Sequence, residues 1–282
     1  MIPSKSRRRN RCPSPARSTS IFATTRIFRI WTANRIPTRP TFSTRSRTST
    51  LGPDWRLSLG GELRARLEDE TNKAFGATRL AQDTFFLHRY FLHADLKYRK
   101  AFRVFSQFIA AFDDGRDLPP RPGDENRTDL NQLFFDARFL GEESPWTLRV
   151  GRQELSYGKE RRVAVPNWSN TRRRFDGFKV LTREKSWDLD FFYLKPVFIQ
   201  RDQSDRFDEK NDFYGFYFAW KGIERHGLEV YFFAVDDTGI PRNPNGRIGD
   251  KSEYTIGYRF WGKTPPWDYE TESAYQWGRM GG

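Results

Sequence analysis

The chain has 282 residues, one cysteine and a net charge of +13 at neutral pH, with a mean hydropathy of −0.81. A lone Cys12 excludes an internal disulfide and a thiolate metal site. No run of about 18 apolar residues occurs, which excludes a transmembrane helix but not a membrane barrel, whose lipid-facing and lumen-facing residues alternate.

The positive charge is not spread evenly. Residues 1–50 hold 12 Lys/Arg and no Asp or Glu, so residues 51–282 carry 37 basic against 36 acidic residues, a net of +1. We therefore divide the chain into a basic, Arg/Ser/Thr-rich disordered segment (1–50) and a folded part (51–282). A secretory signal needs an apolar stretch of roughly 7–15 residues. Ile21-Phe22-Ala23 and Ile27-Phe28-Arg29-Ile30-Trp31 are too short and interrupted. A transit peptide would share the Arg/Ser bias and a nucleic-acid tail the charge. The abrupt change at Leu51-Gly52-Pro53 favours a mis-called start or a shifted frame joined to a barrel coding region. No function is assigned to it.

From Asp54 the period is two. Trp55, Leu57, Leu59, Gly61, Leu63, Ala65 and Leu67 alternate with Arg56, Ser58, Gly60, Glu62, Arg64, Arg66 and Glu68. That is longer than the roughly 9–11 residues a tilted strand needs to cross a bilayer. After a polar stretch, 69–83, a second strand sets Phe86, Tyr90, Leu92, Ala94, Leu96 and Tyr98 against Arg89, His93, Asp95 and Lys97. A short turn at Arg99-Lys100 leads to a third strand, with Phe102, Val104, Phe108 and Phe112 opposite Arg103, Gln107 and Asp113. A long loop, 114–128, carries Pro119, Pro120, Pro122 and Gly123. The fourth strand, 131–140, sets Leu133, Phe135, Ala137 and Phe139 against Gln132, Asp136 and Arg138.

The fifth strand carries Trp146, Leu148 and Val150, and the sixth begins at Phe175 after a basic loop, 155–173. The turn Glu184-Lys185-Ser186 leads to the seventh, with Trp187, Leu189, Phe191 and Tyr193 on one face. Strands around Tyr214–Trp220, Leu228–Ala234, Tyr254–Phe260 and Asp268–Trp277 complete eleven, separated by 198–211, Gly222–Gly227, 236–251 and Gly262–Pro266. Long and short connections alternate throughout, as in an up-and-down barrel with long external loops and short periplasmic turns; Greek-key sandwiches do not sort loops this way. Trp55, Trp146, Trp187, Trp220, Trp261 and Trp267 lie near strand ends and suit interfacial girdles. The expected fold is all-β: a transmembrane antiparallel up-and-down β-barrel. Eleven strands are odd where bacterial barrels close with even numbers, so the reading is of an incomplete, C-terminally truncated barrel.

Gly151-Arg152-Gln153, Tyr157-Gly158, Trp168-Ser169-Asn170-Thr171-Arg172 and Arg174-Phe175-Asp176-Gly177 form a spaced set. It resembles the signature of the alginate export family, over about Trp55 to Gln276. Lys159 departs from it, standing where the resemblance implies an acidic residue. The resemblance implies a bacterial outer-membrane porin that passively exports or conducts an anionic, alginate-like polysaccharide, with outer-membrane lipid and periplasmic export components as further partners.

A lumen passing a polyuronate needs fixed positive charge, with acidic groups near enough to prevent trapping. The inward candidates are Arg64, Arg66, Arg89, Lys97, Arg103, Arg138, Arg149 and Lys179, with Glu62, Asp95, Asp136 and Asp176 as counter-charges. Arginine suits carboxylates because its planar fork binds them bidentately. Arg152 and the run Arg172-Arg173-Arg174 stand at the expected mouth, where steering of a polyanion competes with loop packing through Arg174–Asp176 or Arg152 pairs. His88 and His93 face opposite sides of one strand and cannot share a metal. No Gly-rich phosphate loop opens a helix and no serine is set beside a histidine, so no enzyme, cofactor or nucleic-acid partner is expected. The alternatives are a general or small-anion porin, and a soluble all-β binding module with a basic nucleic-acid-binding tail.

Overall fold

A computed structural model describes residues 22–23, 42–71, 82–239, 246 and 248–281. Every element is a strand: β1 (Phe22–Ala23), β2 (Phe42–Leu51), β3 (Trp55–Thr71), β4 (Gln82–Tyr98), β5 (Phe102–Asp114), β6 (Asn126–Arg138) and β7 (Trp146–Gln153). There follow β8 (Phe175–Arg183), β9 (Trp187–Phe198), β10 (Arg206–Phe207), β11 (Asn211–Trp220), β12 (His226–Asp237), β13 (Lys251–Thr264) and β14 (Trp267–Met280). The eleven strands β3–β9 and β11–β14 correspond one for one with the eleven expected from the alternation, and β2, ten residues long, stands outside that expectation. β2 lies within the segment read from composition as disordered, yet its backbone pairs with β3 from Leu51↔Trp55 to Phe42↔Leu63. The rest of that segment, apart from β1, lies outside the described residues, as do 72–81 and most of the tip of the β12–β13 loop.

All pairings are antiparallel, and between consecutive strands except β1 with β14 and β9 with β11; the order runs β1-β14-β13-β12-β11-β9-β8-β7-β6-β5-β4-β3-β2, with β10 paired to β9 outside the path. The sheet is thus open between β1 and β2 among the described residues. Its connections alternate as expected: 99–101, 139–145, 184–186, 221–225 and 265–266 are short, whereas 115–125, 154–174, 199–210 and 238–250 are long. β6 begins at Asn126, five residues before the sequence reading placed it. The added residues Asn126-Arg127-Thr128-Asp129-Leu130 do not alternate in polarity, and bulges at Gln107/Phe108 and Ile109/Ala111 shift the register there. A bulge hides a strand from a period-two scan.

Register fixes which face each side chain takes. Leu59, Leu63, Leu67, Leu92, Phe108, Phe178, Phe191 and Ile256 are all exposed, and the ladders, through the bulges between β5 and β6, place them on one face. An exposed apolar face of this kind marks an interaction or membrane-contact surface. The other face is concave, for both flanks of the sheet touch segment 154–174. Arg64 of β3 donates to Asn167 O at 2.6 Å, while Arg161 donates to Glu272 of β14 at 2.7 Å. Inside the curl a core of Leu155, Val163, Phe175, Phe192, Leu194, Phe213, Tyr217, Tyr231 and Phe233 joins that segment to β8–β12.

Candidate functional site

The spaced signature builds an inward-folded segment. Gly151 takes φ +123°, and a Cβ there would lie 2.2 Å from Leu133 O, so only glycine lets β7 approach β6 at this point. Tyr157 then turns inward and stacks on Tyr217 with centroids 4.3 Å apart and planes 9° apart, and its hydroxyl donates to Asp190 at 2.9 Å. Burial, with the Asp190 carboxylate beside it, pushes the Tyr157 hydroxyl well above the usual tyrosine range. Asn170 is fully buried and its amide donates to the carbonyls of His88, Phe112 and Asp124 at 2.8–3.0 Å. Thr171 and Ser169 hydroxyls both donate to Gly123 O at 3.0 Å. The signature residues thus tie loops 115–125 and 154–174 to the strand ends. Lys159 is exposed.

The candidate arginines divide into three groups. Arg64, Arg66 and Arg89 face inward but hold the segment: Arg64 reaches Asn167 O and Ser169 O at 2.6 Å, and Arg66 donates to Trp168 O. Arg89 is buried, ion-paired with Glu62 and bonded to Ser169 O at 3.1 Å. Arg172 bridges Glu62 and Glu154 at 3.4 Å each. Arg174 is wholly buried, ion-paired with Asp205, and donates to Asn131 at 2.9 Å; burial and neighbouring Arg152 lower its pKa to about 10. Its partner is therefore Asp205 rather than Asp176. Loop packing accounts for all of these, and in the run 172–174 only Arg173 is exposed.

Arg152 and Asp176 form a bidentate pair at 2.8 and 2.9 Å, but they stand in register with each other and with Leu133, on the outward face. The inward placement expected for Asp176 is corrected accordingly. Phe175, next to it, takes the inward position in the concave core, so polarity inverts at this strand end and the apolar-out rule misassigns the face.

The third group is a wall of charge. Cross-strand partners link Arg56↔Lys97, Lys97↔Arg103, Arg103↔Asp136, Asp136↔Arg149 and Arg149↔Lys179. Six adjacent strands, β3 to β8, therefore present a row of five cations and one carboxylate on the inner face. Asp95 and Asp190 supply further counter-charge: Arg103 is 2.7 Å from Asp95, Lys97 is 3.2 Å from it, and Lys179 is 3.2 Å from Asp190. Arg149 takes Asp136 bidentately at 2.7 and 2.8 Å, with its guanidinium 3.7 Å over Phe134. Five cations meet three carboxylates, and Arg56 has no ion-pair partner among the described residues. Like charges on neighbouring strands about 5 Å apart repel by roughly 1–3 kcal/mol per pair in a partly screened setting. The surplus is a folding cost that packing does not explain. Arg138 lies beside the row, donating to Glu142 O at 3.0 Å and Ser144 O at 3.2 Å in the adjacent turn. Arg56 was missed as a site residue, although its place on the polar face of the first strand was visible.

Among the described residues no group of three His, Cys, Asp or Glu side chains could hold a metal ion. His93 stacks on Phe105 on the inner face, and His88 pairs with Asp114 at 2.9 Å at a strand end. A search of curated proteins gives no significant match. The alginate export family model, whose members are outer-membrane β-barrel transport proteins rather than enzymes, matches residues 55–282. With that match across β3 to β14, the chain belongs to the alginate export family.

Proposed function

We propose that this chain forms the wall of a passive outer-membrane conduit for an anionic, alginate-like polysaccharide. The observation that carries the reading is the inward row Arg56–Lys97–Arg103–(Asp136)–Arg149–Lys179. A polymer with one carboxylate per sugar meets successive cations along it. Asp95, Asp136 and Asp190 hold Lys97, Arg103, Arg149 and Lys179 partly neutralised, which keeps these four contacts from trapping the chain. The outward apolar face is the lipid contact, the short turns face the periplasm and any export components there, and segment 154–174 narrows the passage from the loop side.

The test is block of single-channel current in planar bilayers by a defined hexuronate oligomer. Block by the wild-type chain should weaken about tenfold or more in the double variant Arg56→Gln/Lys97→Gln, since each lost charge-assisted contact is worth roughly 1–3 kcal/mol. Block that is unchanged in the variant removes the row from the pathway. Chloride selectivity without oligomer block would identify a small-anion porin instead.

A further inference from the structure

At its β8 end the cationic row opens into a cavity of about 410 Å³ on the short-turn side of segment 154–174. This is within the size range of small-ligand sites, roughly 300–1,000 Å³. Its walls include Lys179, Arg183, Asp188, Lys221, Trp220 and Trp261. The two indoles are seated by glycines: a Cβ on Gly222 would lie 2.5 Å from the Trp220 ring, and one on Gly227 would lie 2.6 Å from the Trp261 ring. Any other residue at either position displaces the ring. Trp261 therefore does not serve as a lipid-interface anchor. Its register partner Gly227 and its neighbour Arg259, opposite inward Glu229, place it on the concave side. Its indole N–H is buried without a hydrogen-bond partner among the described residues.

Lys221 and Arg183 are both about half-exposed and held by single carboxylates, Lys221 by Asp188 at 2.8 Å and Arg183 by Asp190. The inward face of Trp261, beside the cations Lys179, Arg183 and Lys221 and the carboxylates Asp188 and Asp190, matches a pyranose. Its C–H face stacks on a ring, its hydroxyls bond to donors and carboxylates, and a uronate carboxylate meets a cation.

We infer that this cavity is a saccharide-binding subsite at the periplasmic end of the lumen, taking one or two hexuronate residues with Trp261 as the stacking face and Lys221 as the carboxylate partner; Trp220, in register with Trp187 and on the same face as Phe216 and Phe191, borders the cavity from the outward side. The inference rests on the polysaccharide reading above. It places an acceptor for the chain ahead of the cationic row.

The experiment is calorimetric titration of the full chain in detergent with a hexuronate tetramer and, separately, a neutral glucose tetramer. Trp261→Ala should weaken uronate binding about 3- to 10-fold, Trp261→Phe by less, and Lys221→Gln should weaken the uronate while leaving the neutral sugar unchanged. Both ring variants keep Gly227, and a far-ultraviolet spectrum equal to wild type certifies the fold. Uronate affinity indifferent to Trp261→Ala and to Lys221→Gln overturns the subsite. A bilayer recording on the same proteins separates the two readings. Trp261-dependent binding with no anion conductance sinks the conduit and keeps the subsite, whereas oligomer block that ignores Trp261 does the reverse.

Discussion

Replacing Asp205 by alanine tests how the signature segment is held. Asp205 and Arg174 side chains are both 0% exposed, and Asp205 also accepts from Asn126 at 2.7 Å and from the Gln200 amide at 2.6 Å. The substitution leaves the Arg174 guanidinium with Asn131 as its one described hydrogen-bond partner, at 2.9 Å. A buried charge stripped of its partner costs about 3–5 kcal/mol, whereas replacing both members of a buried pair by apolar residues is often near neutral. Asp205→Ala should therefore lose about 3–5 kcal/mol, and Arg174→Met with Asp205→Leu should recover most of it. Removing the exposed Lys100–Glu143 pair, 61% and 84% exposed, should cost under about 1 kcal/mol. Urea unfolding of the detergent-folded chain, followed by tryptophan fluorescence, measures each. Trypsin at exposed Arg161, Arg162 and Arg173 reports whether the segment has come loose. A loss no larger for Asp205→Ala than for Lys100→Ala would refute the assignment of Arg174 and Asp205 as the anchor.

Other outcomes follow from the same geometry. Arg64→Glu together with Arg138→Glu should weaken anion selectivity, read as a shifted reversal potential, and Arg64→Glu should also free residues 167–170 to protease. Gly151→Ala, with φ +123° and a carbonyl 2.2 Å from the new Cβ, should destabilise by about 2–4 kcal/mol in the same unfolding assay. Tyr157→Phe keeps the stack on Tyr217 but leaves Asp190 one donor short, a loss of about 1–3 kcal/mol. Because the folded Tyr157 pKa is raised, its contribution is complete below the unfolded value near pH 10 and falls as pH rises beyond it. The wild-type advantage over Tyr157→Phe should shrink accordingly above about pH 10.

The wall was legible in the sequence and the inner segment was not. Period-two alternation located eleven strands, β3–β9 and β11–β14, since one face is apolar and its neighbour polar, and missed β2, whose residues Phe42–Leu51 carry no such alternation. The same alternation identified Lys97, Arg103, Asp136, Arg149 and Lys179 as inward. It could not show that they share one row, because register depends on turn geometry and bulges. It failed at Asp176, where Phe175 packs into a core inside the curl and reverses the polarity rule. Arg64 and Arg89 read as lumen charges from the alternation, and Arg172 and Arg174 as mouth charges from their place in a long loop. Their acceptors are carbonyls and carboxylates up to 110 residues away, such as Glu62 for Arg172, and no local pattern reports these. The cavity beside Trp261 was equally hidden: a tryptophan near a strand end suits a girdle and a lumen wall alike.

The sign of ion selectivity tests the central claim most directly. The full chain, reconstituted in a planar bilayer under a potassium chloride gradient, should give a reversal potential of the anion-selective sign, reduced when Arg56 and Lys97 are neutralised. A cation-selective potential, or one unmoved by those substitutions, would contradict a conduit built on the Arg56-to-Lys179 row.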